Sequence, residues 1–123
     1  MKNPIYVKLD ADNIGDSIEL ALLNNNVEEA IRIHNLIQES IKKLVNKIND
    51  CGYEIVMIGC DDILFCIDYE LFDETNLLEL MNFFNRSTNF SLSIGVGISL
   101  NEALLNLRKA KISGKNKIVK FQE

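Results

Sequence analysis

The chain has 123 residues, 47% of them apolar and 25% charged, with a net charge of -5 and three cysteines. That length and apolar share describe one domain, residues 1–123, able to bury a core without disulfide or metal staples. Cys51, Cys60 and Cys66 are odd in number and show no Cys-x-x-Cys spacing, a usage that suits a reducing, cytoplasmic compartment. The N-terminus carries no apolar leader and no apolar run nears the ~18 residues of a membrane span, so no membrane association is expected. The acidic balance argues against stable nucleic-acid binding, which shows as an excess of Lys and Arg. The basic residues are uneven, however. Arg108, Lys109, Lys111, Lys115, Lys117 and Lys120 lie in a stretch with no acid between Ala103 and Gln122, a local cationic patch suited to a metal-nucleotide substrate.

In chain order, Ile5 to Leu9 reads as a strand running into Asp10-Ala11-Asp12-Asn13-Ile14-Gly15. Asn24-Asn25-Asn26 then separates a short helix from a longer one. The apolar positions Ala30, Ile37, Ile41, Leu44 and Ile48 of the longer helix, with His34 in the same row, recur every three or four residues. Cys51-Gly52 closes it as a left-handed cap. Tyr53–Ile58 and Ile63–Asp68 read as a hairpin around Gly59-Cys60-Asp61-Asp62. A helix is expected over Glu74–Asn85. Phe90–Ile98 alternates large apolar with small residues as a strand. Ser99-x-x-Glu102 is a capping box opening a helix that stops at Gly114, and Lys117–Phe121 makes a last edge strand.

This order contains the βαββαβ arrangement of a ferredoxin-like α+β fold, with an extra C-terminal helix and edge strand, an antiparallel-rich sheet and helices on one face. Right-handed crossovers make the first two strands parallel, with the third antiparallel between them. Asp10 should then meet Asp61 and Asp62 at one rim of the sheet. The last helix should run back toward that rim and deliver Lys111 and Lys115.

A nucleoside triphosphate repels an attacking hydroxyl, and two divalent cations ~3.5–4 Å apart can clamp both attacking and leaving oxygens. Hard carboxylates suit Mg²⁺ or Mn²⁺, two ions per site. Asp10 and Asp61 are the expected bridging ligands, Asp62 a further ligand or proton acceptor, and the Ala11 carbonyl completes the sphere; Asp12 ranks behind them. The amides of Asn13, Ile14 and Gly15, before a helix that Asp16 or Ser17 could cap, would hold phosphate. Gly59 and Cys60 belong to the same cradle, and Lys111 and Lys115 would neutralise the outer phosphates.

Asp10 to Gly15, Gly59 to Asp62, Ser93-Ile94-Gly95-Val96-Gly97 and Lys111-Ile112-Ser113-Gly114-Lys115-Asn116 follow, in order, the motifs of palm-type nucleotidyl cyclases. That superfamily includes diguanylate cyclase (GGDEF) domains and the polymerase subunit of type III CRISPR complexes, and this chain resembles the minimal CRISPR polymerase most closely. The resemblance implies condensation of ATP into a cyclic oligonucleotide messenger, in anti-phage defence where a separate effector reads the product. The diguanylate cyclase signature would have Gly at Cys60, Glu at Asp62 and Phe at Ile63. Its guanine-reading Asn falls at Ile18, which favours ATP over GTP. No Arg-x-x-Asp inhibitory site precedes Gly59, and RNA-triggered control is not carried over.

Each residue also has a plainer reading. Asp61-Asp62 suits any polar hairpin turn, Asp10 and Asp12 suit a loop, and the two lysines suit a helix C-terminus. A cyclic dinucleotide, the expected product, needs two activated nucleotides facing each other, which points to a homodimer, with the long amphipathic helix and the Ser91-Ser93-Gly95-Gly97 strand face as candidate interfaces. The alternatives are a non-catalytic nucleotide sensor on the same cradle and a metal-dependent nuclease.

Overall fold

The structure, a computed structural model, describes residues 3–122. β1 (Pro4–Ala11) alternates strictly: Ile5, Val7, Leu9 and Ala11 point into the core, while Tyr6, Lys8 and Asp10 occupy the other face. Two helices follow, α1 (Ile14–Leu23) and α2 (Val27–Asp50), then the hairpin of β2 (Glu54–Ile58) and β3 (Asp62–Asp68). After it come α3 (Glu74–Thr88), β4 (Leu92–Gly97), α4 (Leu100–Ile112) and β5 (Ile118–Val119). The sheet order is β2-β3-β1-β4-β5. β1 is antiparallel to both β3 and β4, and β2 is antiparallel to β3, so β1 and β2 run parallel as the crossover rule requires. Among the described residues no helix is long and apolar enough to cross a membrane.

The core lies between α1–α3 and one face of the sheet. α2 buries Ala30, Ile33, Ile37, Ile41, Leu44 and Ile48, a three-and-four spacing that uses its whole apolar stripe. Ile33 takes the place expected for His34, which is exposed. Phe65, Phe84, Leu77 and Ile94 fill the middle, and Tyr53 stacks on Phe65 at 5.9 Å while its hydroxyl accepts from Asn76.

Helices on one face describes α1, α2 and α3, but α4 lies on the opposite face. In β4, Leu92, Ile94 and Val96 enter the core, leaving Ser93, Gly95 and Gly97 on the side of Lys8 and Asp10. A Cβ at Gly95 would strike the α4 backbone at Ala103 and Leu107, and one at Gly97 would strike it at Glu102 and Ala103. The small residues are there so that a helix can sit against the sheet backbone. β4 is consequently covered on both sides and buried throughout.

The ends of α3 and β5 differ from the sequence reading. α3 continues to Thr88, whose hydroxyl donates back to the Phe84 carbonyl, and ends on left-handed Asn89. β5 is reduced to Ile118–Val119, parallel to β4, because Phe121 turns inward against Phe72. α4 opens as expected on Ser99, which accepts from the Glu102 amide, but the Glu102 carboxylate reaches back to the amide of Ile98.

Candidate nucleotide and metal site

The end of β1 and the hairpin turn are stitched together by backbone. Asp10 stands opposite Asp62 in the β1–β3 register, and the Ala11 amide donates to the Asp61 carbonyl at 2.9 Å. On the other side the Asp12 amide donates to the Ser91 carbonyl. The Gly59 amide closes the turn on the Asp62 carbonyl, and a Cβ at Gly59 would collide with the Asp62 carboxylate. Gly59 therefore makes room for that side chain. α4, running antiparallel to β4, returns its C-terminal end to this rim, and Lys111 arrives among the acids.

The four carboxylates at the rim divide into two that are held and two that are open. Asp12 is buried and accepts from Ser91 Oγ (2.6 Å), Ser93 Oγ (2.7 Å), Lys111 Nζ (2.7 Å) and the Asn116 amide (3.1 Å). Burial opposes its ionised form, but the hydrogen bonds from Lys111, Ser91 and Ser93 outweigh it and hold the carboxyl below its ordinary pKa. Asp62 is paired with Lys8 at 2.7 Å. Asp10 has only a longer contact with Lys111, 3.2 Å. Its pKa is raised, first by burial and then by the charges of Asp61 and Asp62, against the lowering pull of Lys111. No hydrogen bond or ion pair among the described residues engages the Asp61 carboxylate.

Lys111 does more than line the rim. Its ammonium also donates to the carbonyls of Asp10 and Ala11, at 3.4 and 3.0 Å, so the Ala11 oxygen expected to meet a metal meets a lysine here. Lys115 donates to Asn13 Oδ1 at 2.6 Å from a loop in which Gly114, Lys115 and Asn116 all have positive φ. Three consecutive left-handed residues, two of them with side chains, store strain that the surrounding contacts must hold.

α1 begins differently from expectation. Asn13, left-handed at φ 65°, is the N-cap; Asp16 and Ser17 lie inside the first turn, and no side chain caps the helix. Its first amides are thus open to an acceptor from outside the fold, the condition for anion binding at a helix N-terminus. Beside them a cleft of about 180 Å³ is lined by Ile14, Gly15, Ile18, Ile37, His34, Gln38, Cys60 and Asp61. Gln38 donates to the Cys60 carbonyl at 2.9 Å, tying α2 to the turn.

Among the described residues, no group of three His, Cys, Asp or Glu side chains is gathered to enclose a metal ion. Mg²⁺ is commonly held by one or two carboxylates plus substrate phosphates and water rather than by an all-protein cage. The donor chemistry fits: two carboxylates, Asp10 and Asp61, crowd each other, Asp10 having only the 3.2 Å contact with Lys111 and Asp61 no ion pair among the described residues. The sequence reading gives no role to Lys8 and no contact with Asp12 to Ser91, Ser93 or Asn116. Lys8 was detectable, because it shares the pleat face of Asp10 two residues away. Ser91, Ser93 and Asn116 reach Asp12 from 79, 81 and 104 residues away, and nothing local announces them.

The fold has close structural parallels. The fold superimposes on a Csm1-Csm4 cassette in complex with cA4 with a TM-score of 0.81 at 16% identity, covering 99% of this chain and 21% of that one. A Csm1-Csm4 cassette in complex with one ATP gives 0.76 at 16% identity, covering 96% of this chain and 20% of that one. The chain thus spans about a fifth of the length of those chains. The GGDEF domain of DgcB from Caulobacter crescentus in complex with c-di-GMP gives 0.64 at 14% identity, covering 95% of this chain and 77% of that domain. No curated protein matches the sequence. The model of the minimal CRISPR polymerase domain matches residues 6–121, nearly the whole sequence. With this palm fold and that match, the chain belongs to the minimal CRISPR polymerase domain family.

Proposed function

We propose that the chain is a nucleotidyl cyclase that joins ATP into a cyclic oligonucleotide, with a cyclic di-adenylate as the product. One observation carries the reading: two under-compensated carboxylates, Asp10 and Asp61, lie beside the uncapped start of α1, where Lys111 reaches Asp10 and Lys115 reaches Asn13. Acceptors for metal, donors for phosphate and cations for a triphosphate are brought to one rim.

In this reading the amides of Ile14 and Gly15 hold phosphate oxygens, and Lys111 and Lys115 neutralise the polyphosphate. Asp10 and Asp61 would hold two Mg²⁺ or Mn²⁺ ions, which when bound neutralise charge on the attacking and leaving oxygens. A ribose hydroxyl oxygen forms a bond to the α-phosphorus, the α–β phosphoanhydride bond breaks, and pyrophosphate leaves. Asp62 is the candidate acceptor of the hydroxyl proton. Ile18 in the cleft wall, where a diguanylate cyclase would read guanine, supports ATP over GTP. ATP and cA4 bound to the Csm1-Csm4 neighbours support the same substrate class.

A cyclic dinucleotide needs two activated nucleotides facing each other, and a homodimer of palms is the economical arrangement. Both surfaces nominated from sequence are spent within the fold: α4 covers the Ser93-Gly95-Gly97 face, and the apolar stripe of α2 is in the core. A separate effector would read the product in anti-phage defence, and a cytoplasmic site suits the free cysteines.

The test is incubation with each nucleoside triphosphate and Mg²⁺ or Mn²⁺, followed by mass analysis. ATP should yield pyrophosphate and a cyclic adenylate, and Asp61→Asn should yield neither. Intact ATP would instead indicate a sensor, and cleavage of added RNA or DNA a nuclease.

A further inference from the structure

The Asp12 carboxylate accepts four hydrogen bonds, and the metal reading leaves it no task. It is buried, its two oxygens take hydrogen bonds from β4, α4 and the loop after α4, and it belongs to the same rim as Asp10. A carboxylate so engaged has little remaining capacity for an ion. What it does hold is the cationic side of the site. Lys111 Nζ sits 2.7 Å from Asp12 Oδ1 but 3.2 Å from Asp10 Oδ1, so Asp12 is its shorter partner. The Asn116 amide is shared between Asp12 Oδ2 and Ser93 Oγ, at 3.1 and 3.2 Å. That amide ends the run of positive φ at Gly114, Lys115 and Asn116, and the same loop carries Lys115 to Asn13 at the start of α1.

We propose that Asp12 is a positioning residue for the phosphate-binding side of the site: its carboxylate orients Lys111 directly and Lys115 through the Asn116 amide, and it is not a metal ligand. The serines complete the device. Ser91 and Ser93 each donate to a different Asp12 oxygen, which fixes the plane of the carboxylate and so the direction in which it holds the lysine and the amide. One residue from the end of β1 thereby links strand, helix and loop so that both lysines address the same volume.

This inference rests on the proposed triphosphate site, and its test separates the two. The probe is α,β-methylene ATP, which binds but cannot lose pyrophosphate, with Mn²⁺ titrated at saturating analogue. Asp12→Asn should weaken the analogue by about tenfold and leave Mn²⁺ affinity within about twofold, while Lys111→Met in that background should add less than about twofold. Additive losses from Asp12→Asn and Lys111→Met would overturn the proposal. So would a fall in Mn²⁺ affinity matching that of Asp61→Asn, which would make Asp12 a ligand. Wild-type protein that binds no triphosphate would sink the functional reading and this inference together; wild-type binding with an unaffected Asp12→Asn would sink the inference alone. Thermal melting establishes that each variant folds. If Asp12→Asn does not, Ser91→Ala with Ser93→Ala should weaken the analogue about threefold at unchanged Mn²⁺ affinity, and full-strength binding by that variant would overturn the proposal.

Discussion

Two carboxylates separated by one residue, Asp10 and Asp12, lie in opposite electrostatic circumstances. Asp12 is buried yet has its pKa lowered, because donors from three elements converge on it. Asp10 is half-buried yet has its pKa raised, because burial and two neighbouring acids outweigh a single lysine. The hairpin turn repeats the contrast: Asp62 is paired with Lys8, and Asp61 is not engaged. Two of the acids have assembled partners, and the two left crowded are the ones proposed to hold a cation from outside.

The contrast predicts an ordered set of effects. The largest is on turnover. Loss of a metal ligand removes several kcal/mol of charge stabilisation, so Asp10→Asn or Asp61→Asn should slow pyrophosphate release by on the order of 10³-fold with the circular dichroism spectrum unchanged. Asp10→Asn should also melt no lower than the wild type, since the ionised Asp10 is disfavoured in the fold. A variant of either residue that keeps wild-type turnover would erase the distinction.

Next is stability at Asp12. Removing one partner of a buried ion pair costs about 3 kcal/mol, so Asp12→Asn should show a clearly lower denaturation midpoint than Asp61→Asn. The sign with pH follows. A carboxyl whose pKa falls below its ordinary 3.8 on folding stabilises the protein above that value, and the contribution is lost as pH drops through the lowered folded pKa. Stability of the wild type should decline more steeply through this acidic window than that of Asp12→Asn. Equal slopes would deny Asp12 its role.

A comparable effect is expected at Gly95. A methyl there meets the α4 backbone, so Gly95→Ala should cost ~1–3 kcal/mol of stability and, by displacing α4, weaken nucleotide binding as well. The smallest is at the remote end. Asn26 caps α2 through the Glu29 amide, and Asn26→Ala should cost about 1 kcal/mol without altering turnover.

Much of this was legible in the residues. The period of β1, the stripe of α2, the Gly59 turn and the Ser99 cap are local signals, and the crossover rule was enough to bring Asp10 to Asp61 and Asp62. The side of the sheet taken by α4 was not, although Gly95 and Gly97 marked a close approach; which helix makes it depends on pleat parity and connection together. Asp16 and Ser17 were plausible caps by residue type, but Asn13, bent into the left-handed region, opens the helix. Asp12 ranked behind Asp10 and Asp61 as a ligand, and its holding role was hidden because its partners lie 79 to 104 residues away.

The central claim is that Asp10 and Asp61 are the acids that hold the ions. Mn²⁺ binding followed by electron paramagnetic resonance, with α,β-methylene ATP present, tests it most directly. Wild-type protein and Asp12→Asn should bind the ion, and Asp10→Asn and Asp61→Asn should lose it. Wild-type Mn²⁺ binding by Asp61→Asn would contradict the account.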